Sequence, residues 1–79
     1  MESEIFQIIK DETGAEEFNL DTPMEKLVED SLEFLSLITT IKDKFGEFPD
    51  AWIAHIKTVR DLVELVNGVI SRRNVPAVL

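Results

Sequence analysis

The chain has no cysteine and no tyrosine, and only three glycines and three prolines among 79 residues. Without cysteine there is no disulfide and no thiolate ligand for a metal, so stability rests on packing. That absence fits a reducing compartment. No apolar run approaches the roughly 20 residues of a membrane span. Bases are also scarce: 8 Lys+Arg stand against 16 Asp+Glu, a net charge of −8. Residues 1–33 hold eleven of the acids and two bases, Lys10 and Lys26, whereas residues 34–79 hold five acids and six bases. An acidic first part repels nucleic-acid phosphate and favours protein partners with basic surfaces. The segment MESEIFQIIKDE lacks the basic start and cleavage site of a secretory signal, so the expected location is cytoplasmic. The length fits a single domain, 1–79, with a thin core.

What is present is helical periodicity. Ile5, Ile8 and Ile9 predict a helix over about 4–12, with Phe6 beside the stripe, Ser3 as N-cap and Gly14 as the left-handed terminator. The connection GAEEFNLDTPMEKLVE is long, with Phe18, Leu20, Met24 and Leu27 as apolar anchors. A connection of this length either packs its own side chains on the core or contains a helical turn at TPMEKL. Asp30 and Glu33 have capping-box spacing, making Asp30 the cap and Ser31 the first residue of a helix that Gly46 ends. DAWIAHI predicts a short helix of one to two turns after Pro49. Thr58 and Asp61 repeat the capping spacing and open a last helix, which Gly68 weakens. Residues 72–79 read as a frayed tail broken by Pro76. No segment reads as a strand. The expected fold is all-α: a small four-helix bundle of three main helices and one short one.

The second helix has two apolar faces. At about 100° per residue, Phe34, Leu37, Ile38, Ile41 and Phe45 form the core stripe. Leu32 and Leu35 point elsewhere, with Thr39 between them and Ser31 nearby; Ser36 and Asp43 border the patch. These leucines either pack under the preceding loop or against the short helix after Pro49, or form a small docking surface edged by acids.

Ser31 has no partner for nucleophilic catalysis. The only histidine, His55, lies in the short-helix region, and no Gly-x-Ser-x-Gly elbow is present. Glu29, Asp30 and Glu33 suit helix capping better than metal binding. A serine at a helix start can instead carry a phosphate beside free N–H groups; the other reading is a serine that merely begins a helix.

The stretch DTPMEKLVEDSLEFLSLI, from Asp21 to Ile38, resembles the acyl carrier protein family. The spacing from Asp21-Thr22-Pro23 through Leu27 to Asp30-Ser31-Leu32 carries the resemblance. It continues through Phe45-Gly46, Pro49-Asp50 and the start of the last helix at Ile56, Thr58, Val59, Asp61, Leu62 and Val63. The resemblance implies that a phosphopantetheinyl transferase esterifies Ser31 with 4'-phosphopantetheine, flanked by Asp30 and Leu32. The arm's thiol then holds acyl groups as thioesters, and the chain itself is not an enzyme. It further implies a partner surface of Glu29, Leu32, Glu33, Leu35, Ser36, Thr39 and Trp52, and an acyl pocket drawn from Phe34, Ile38, Ile41, Ile53, Ile56 and Leu62. The implied partners are acyl-transferring or acyl-elongating enzymes of fatty acid, lipid or secondary-metabolite synthesis, with basic or apolar docking surfaces. A monomer is expected.

The chain departs from the family pattern. Val28 and Glu29 stand where glycine and a small or apolar residue are usual, and the segment between Gly46 and Pro49 is one residue short. The second helix carries Ser36, Thr39, Thr40, Lys42 and Lys44 in place of glutamates. Trp52 and Ile53 replace a polar and a small residue. These changes imply a specialised carrier. An aminoacyl or peptidyl carrier of the same fold, and an unmodified helical interaction module, are the alternatives.

Overall fold

The computed structural model describes residues 2–74. Three α-helices dominate: α1 (Glu2–Thr13), α2 (Ser31–Phe45) and α3 (Val59–Asn74). Two 3₁₀ segments lie between them, Met24–Lys26 and Asp50–His55. The expected helical bundle is the observed one, with no strand among the described residues and one isolated bridge pairing Pro23 with Thr58.

The boundaries follow local chemistry. Helix α1 begins at Glu2, so Ser3 lies within its first turn rather than capping it. Acidic Glu2 and Glu4 sit in that turn, where the helix dipole favours negative charge. Gly14 has φ 75°, and its N–H donates to Lys10 O at 2.9 Å, closing α1 as expected. Helix α2 begins at Ser31 on the cap Asp30 and ends at Gly46, φ 125°. The short helix after Pro49 is a 3₁₀ helix. Helix α3 passes through Gly68 without a break and takes in the first three residues of the expected tail; residues 75–79 lie outside the described residues.

One core joins the three helices. Ile5 and Ile9 of α1, Leu37 and Ile41 of α2, and Val59, Leu62 and Val66 of α3 are fully buried. The long connection does both things open to it. Met24 and Leu27 enter the core, Phe18 packs on Phe6 with ring centroids 4.9 Å apart, and the chain makes one 3₁₀ turn. The connection is also tied to the start of α3. Met24 N donates to Lys57 O (2.8 Å), Val59 N to Thr22 O (3.0 Å) and Arg60 N to Leu20 O (2.8 Å). Arg60 and Asp21 add an exposed ion pair at 2.8 Å. These bonds satisfy backbone groups that a buried loop would otherwise leave unpaired.

Candidate functional site around Ser31

The start of α2 is built from its cap outward. The Asp30 carboxylate accepts from Glu33 N at 2.9 Å, satisfying one of the orphan donors of the first turn. Ser31 is the next residue, exposed and held at the first helical position. Glu33 Oε1 is shut off from solvent with no hydrogen-bond partner, so it does not close the capping box from the other side.

Ser31 lies on the wall of an open groove of about 690 Å³. The apolar wall comes from Met24, Val28, Phe34 and Ile56, and the charged positions are Glu25, Glu29, Asp30 and Lys57. The bridge between Pro23 and Thr58 sets this arrangement, because it fastens the loop before α2 to the loop before α3. Of the six residues expected to form an acyl pocket, Phe34 and Ile56 line this groove. Ile38, Ile41 and Leu62 are instead packed inside the bundle, at 2% exposure or less, and Ile53 is half-buried against the core. The groove residues Met24, Val28, Lys57 and Thr58 had no role in the expected site. Met24 was legible only as an apolar anchor and Val28 only as a departure from the family's usual glycine, and nothing local marks Lys57.

The expected partner surface is split. Leu32 and Leu35 are open, at 77% and 50% exposure, so they do not pack under the loop. Glu29 and Thr39 are exposed near them in sequence, and Thr39 Oγ1 donates to Leu35 O at 2.9 Å. Ser36 has an internal partner: Ser36 Oγ and Thr40 Oγ1 donate to Glu12 Oε1 of α1, at 2.9 and 3.0 Å. Trp52 is half-buried and stacks on Phe48 with centroids 6.3 Å apart. Lys42 reaches that cluster, pairing with Asp50 at 2.9 Å and lying 5.0 Å from the Phe48 ring centre. Its charge is therefore matched within the chain by Asp50.

His55 is not among the residues that line the groove with Ser31. It lines a separate hollow with Trp52, Ile56, Asp61, Glu64 and Leu65. Among the described residues, no group of three His, Asp or Glu side chains is placed to hold a metal ion. No helix among them is long and apolar enough to cross a membrane. The site thus presents an accessible hydroxyl on an open groove, beside two exposed leucines.

The comparisons with known proteins agree with that arrangement. A family model described as a phosphopantetheine attachment site matches residues 3–66. An acyl carrier protein of Lactococcus lactis subsp. cremoris is 43% identical over 63 residues, covering 77% of this chain and 85% of the relative. Acyl carrier proteins of Micrococcus luteus and Myxococcus xanthus are each 29% identical over 66 residues, 78% of this chain and 82% and 84% of theirs. No solved structure was found to match. The matched span runs from α1 into α3 and includes the whole of the groove and of α2, so the chain belongs to the phosphopantetheine-attachment family, as an acyl carrier protein rather than an enzyme.

Proposed function

We propose that Ser31 is the residue that bears the 4'-phosphopantetheine of this carrier, and that the groove beside it receives the arm. The exposed hydroxyl at the first position of α2, on the wall of that groove, is the observation that carries the reading. The residues present fit the group. Its polar phosphate end meets the N-terminal turn of α2, where N–H groups and the helix dipole favour an anion. Met24, Val28, Phe34 and Ile56 would hold the apolar parts of the arm along the groove. When bound, the group supplies a thiol on which acyl groups are held as thioesters.

The chain's own residues supply placement. Asp30 fixes the first turn through its bond to Glu33 N, and so fixes where the Ser31 hydroxyl stands. No base is needed here, because a phosphopantetheinyl transferase takes the serine proton and moves phosphopantetheine from coenzyme A to Ser31 Oγ, breaking the pyrophosphate bond and releasing adenosine 3',5'-bisphosphate. Leu32 and Leu35, with Glu29 and Thr39 exposed near them in sequence and the half-buried Glu33 between them, offer that enzyme and the acyl-handling enzymes an apolar patch with an acidic border. Burying exposed leucines gives about 25 cal/mol per Å² of apolar area, and the acids speed encounter with basic docking faces. The carrier then works as a cytoplasmic monomer, passing acyl intermediates of fatty acid, lipid or related synthesis between enzymes.

The test is intact mass after incubation with coenzyme A, magnesium and a broad-specificity phosphopantetheinyl transferase. The wild type gains one phosphopantetheine, and Ser31→Ala gains none. Failure of the wild type to load with several transferases, including one from its own source, would replace this reading with an unmodified interaction module.

A further inference from the structure

Eleven residues line the groove, and Lys57 is the only basic one among them. Three of the others, Glu25, Glu29 and Asp30, are acidic. A phosphodiester on Ser31 adds a further negative charge to a wall that already carries three. Lys57 is the one lining side chain able to offset it. Its side chain is exposed and joins no ion pair among the described residues. The other lysines are placed differently: Lys42 is held by Asp50 and Phe48, and Lys10, Lys26 and Lys44 do not line the groove.

The position of Lys57 is set by its backbone. Its N–H donates to Asp61 Oδ2 at 3.0 Å, and its carbonyl accepts from Met24 N at 2.8 Å. One bond fixes it to α3 and the other to the opposite wall of the groove. The ammonium group, a compact charge with three donors on a flexible stem, thus belongs to the groove that Ser31 also lines; it attracts the Asp61 carboxylate only weakly and forms no ion pair with it.

We propose that Lys57 is the phosphate-holding residue of this carrier. Its ammonium contacts the phosphodiester on Ser31 from the groove side and turns the arm toward Met24, Val28, Phe34 and Ile56. The contact rests on Ser31 as the attachment residue. It is a charge-assisted hydrogen bond at a wet site, so it is salt-sensitive and acts on the arm's direction more than on its retention.

The experiment uses the full chain loaded with phosphopantetheine: wild type, Lys57→Gln, Lys57→Arg and, as a control outside the groove, Lys26→Gln. Intact mass first confirms loading of each, which separates failure of the attachment reading from failure of the contact. The ³¹P resonance is then recorded folded and in urea. The wild type is expected to show a folded-to-unfolded displacement that shrinks at high salt. Lys57→Gln loses at least half of it, Lys57→Arg keeps it, and Lys26→Gln leaves it unchanged. In the wild type, loading moves the side-chain resonances of Lys57 more than those of Lys10, Lys26, Lys42 or Lys44. This second readout decides the matter even if Lys57→Gln folds poorly. A full ³¹P displacement in a folded Lys57→Gln, or Lys57 resonances unmoved by loading, overturns the proposal. If the wild type does not load, the attachment reading falls, and this contact falls with it.

Discussion

Helices α2 and α3 start on the same sequence spacing, a capping residue followed three positions later by an acid, yet the two starts are finished differently. At α3 the box closes both ways. Asp61 N donates to Thr58 Oγ1 at 3.2 Å, and the Asp61 carboxylate accepts from Thr58 N and Lys57 N at 3.1 and 3.0 Å. The bridge to Pro23 then covers the turn. At α2 the forward bond from Glu33 N to Asp30 is made, Glu33 Oε1 finds no partner, and the first turn opens onto the groove at Ser31. One start is spent on holding the fold together. The other is held just well enough to keep a hydroxyl in place and accessible.

That contrast breaks most sharply on a pair of substitutions. Ser31→Ala abolishes loading in the mass assay while moving stability by no more than about 0.5 kcal/mol, as expected of an exposed residue outside the core. Thr58→Ala does the reverse: it still loads, and it loses roughly 1 kcal/mol from the cap, a fall of about 4–8 °C in melting temperature for a domain of this size. If Ser31→Ala melted several degrees lower and Thr58→Ala were neutral, the assignment of one start to function and the other to structure would be wrong.

The contrast was half legible in the sequence. The caps Asp30 and Thr58, the terminators Gly14 and Gly46 and most of the core stripe of α2 are read from neighbours three or four positions apart and stand where the periodicity places them, whereas Phe34 of that stripe is only partly buried and lines the groove. The outward face of Leu32 and Leu35 also stands where the periodicity places it. The start of α1 was less legible, because Glu2, Ser3 and Glu4 all suit a first turn. What local spacing does not carry is contact across the chain. The bridge of Pro23 to Thr58, the grip of Ser36 and Thr40 on Glu12, and the pairing of Lys42 with Asp50 each depend on how elements pack. The groove is a product of the first of these, which is why Lys57 and Met24 carried no signal of belonging to the site.

A titration sharpens the comparison from the α3 side. Hydrogen bonds from the N–H groups of Lys57 and then Thr58 hold the Asp61 carboxyl below its ordinary value of 3.8. A lowered folded value means that this contribution is complete above the unfolded value and is lost as pH falls through the folded one. The melting-temperature gap between wild type and Asp61→Asn should therefore stay constant from pH 7 down to about 5 and close below about 4. A gap that persists unchanged at lower pH would mean that the cap works through geometry alone. Further along the same helix, Gly68→Ala should stabilise by about 0.5–1 kcal/mol, because an added Cβ meets nothing within 4 Å in a helical interior.

The smallest effect concerns charge. Residues 1–33 concentrate eleven acids against Lys10 and Lys26, and Glu25, Glu29, Asp30 and Glu33 gather at the open start of α2. The start of α3 has bases beside it instead, Lys57 and Arg60, the latter already paired with Asp21. Screening should relieve repulsion at the first and weaken attraction at the second. Because the net charge is −8, relief outweighs loss, and a salt series should raise the melting temperature. Replacing Glu29 with Gln removes part of the crowding at α2 and should flatten the slope of that series. Replacing Arg60 with Gln removes an attraction and should steepen it. Equal slopes in the two variants would show that neither charge contributes to the salt response, and that the two helix starts differ in hydrogen bonding but not in electrostatics.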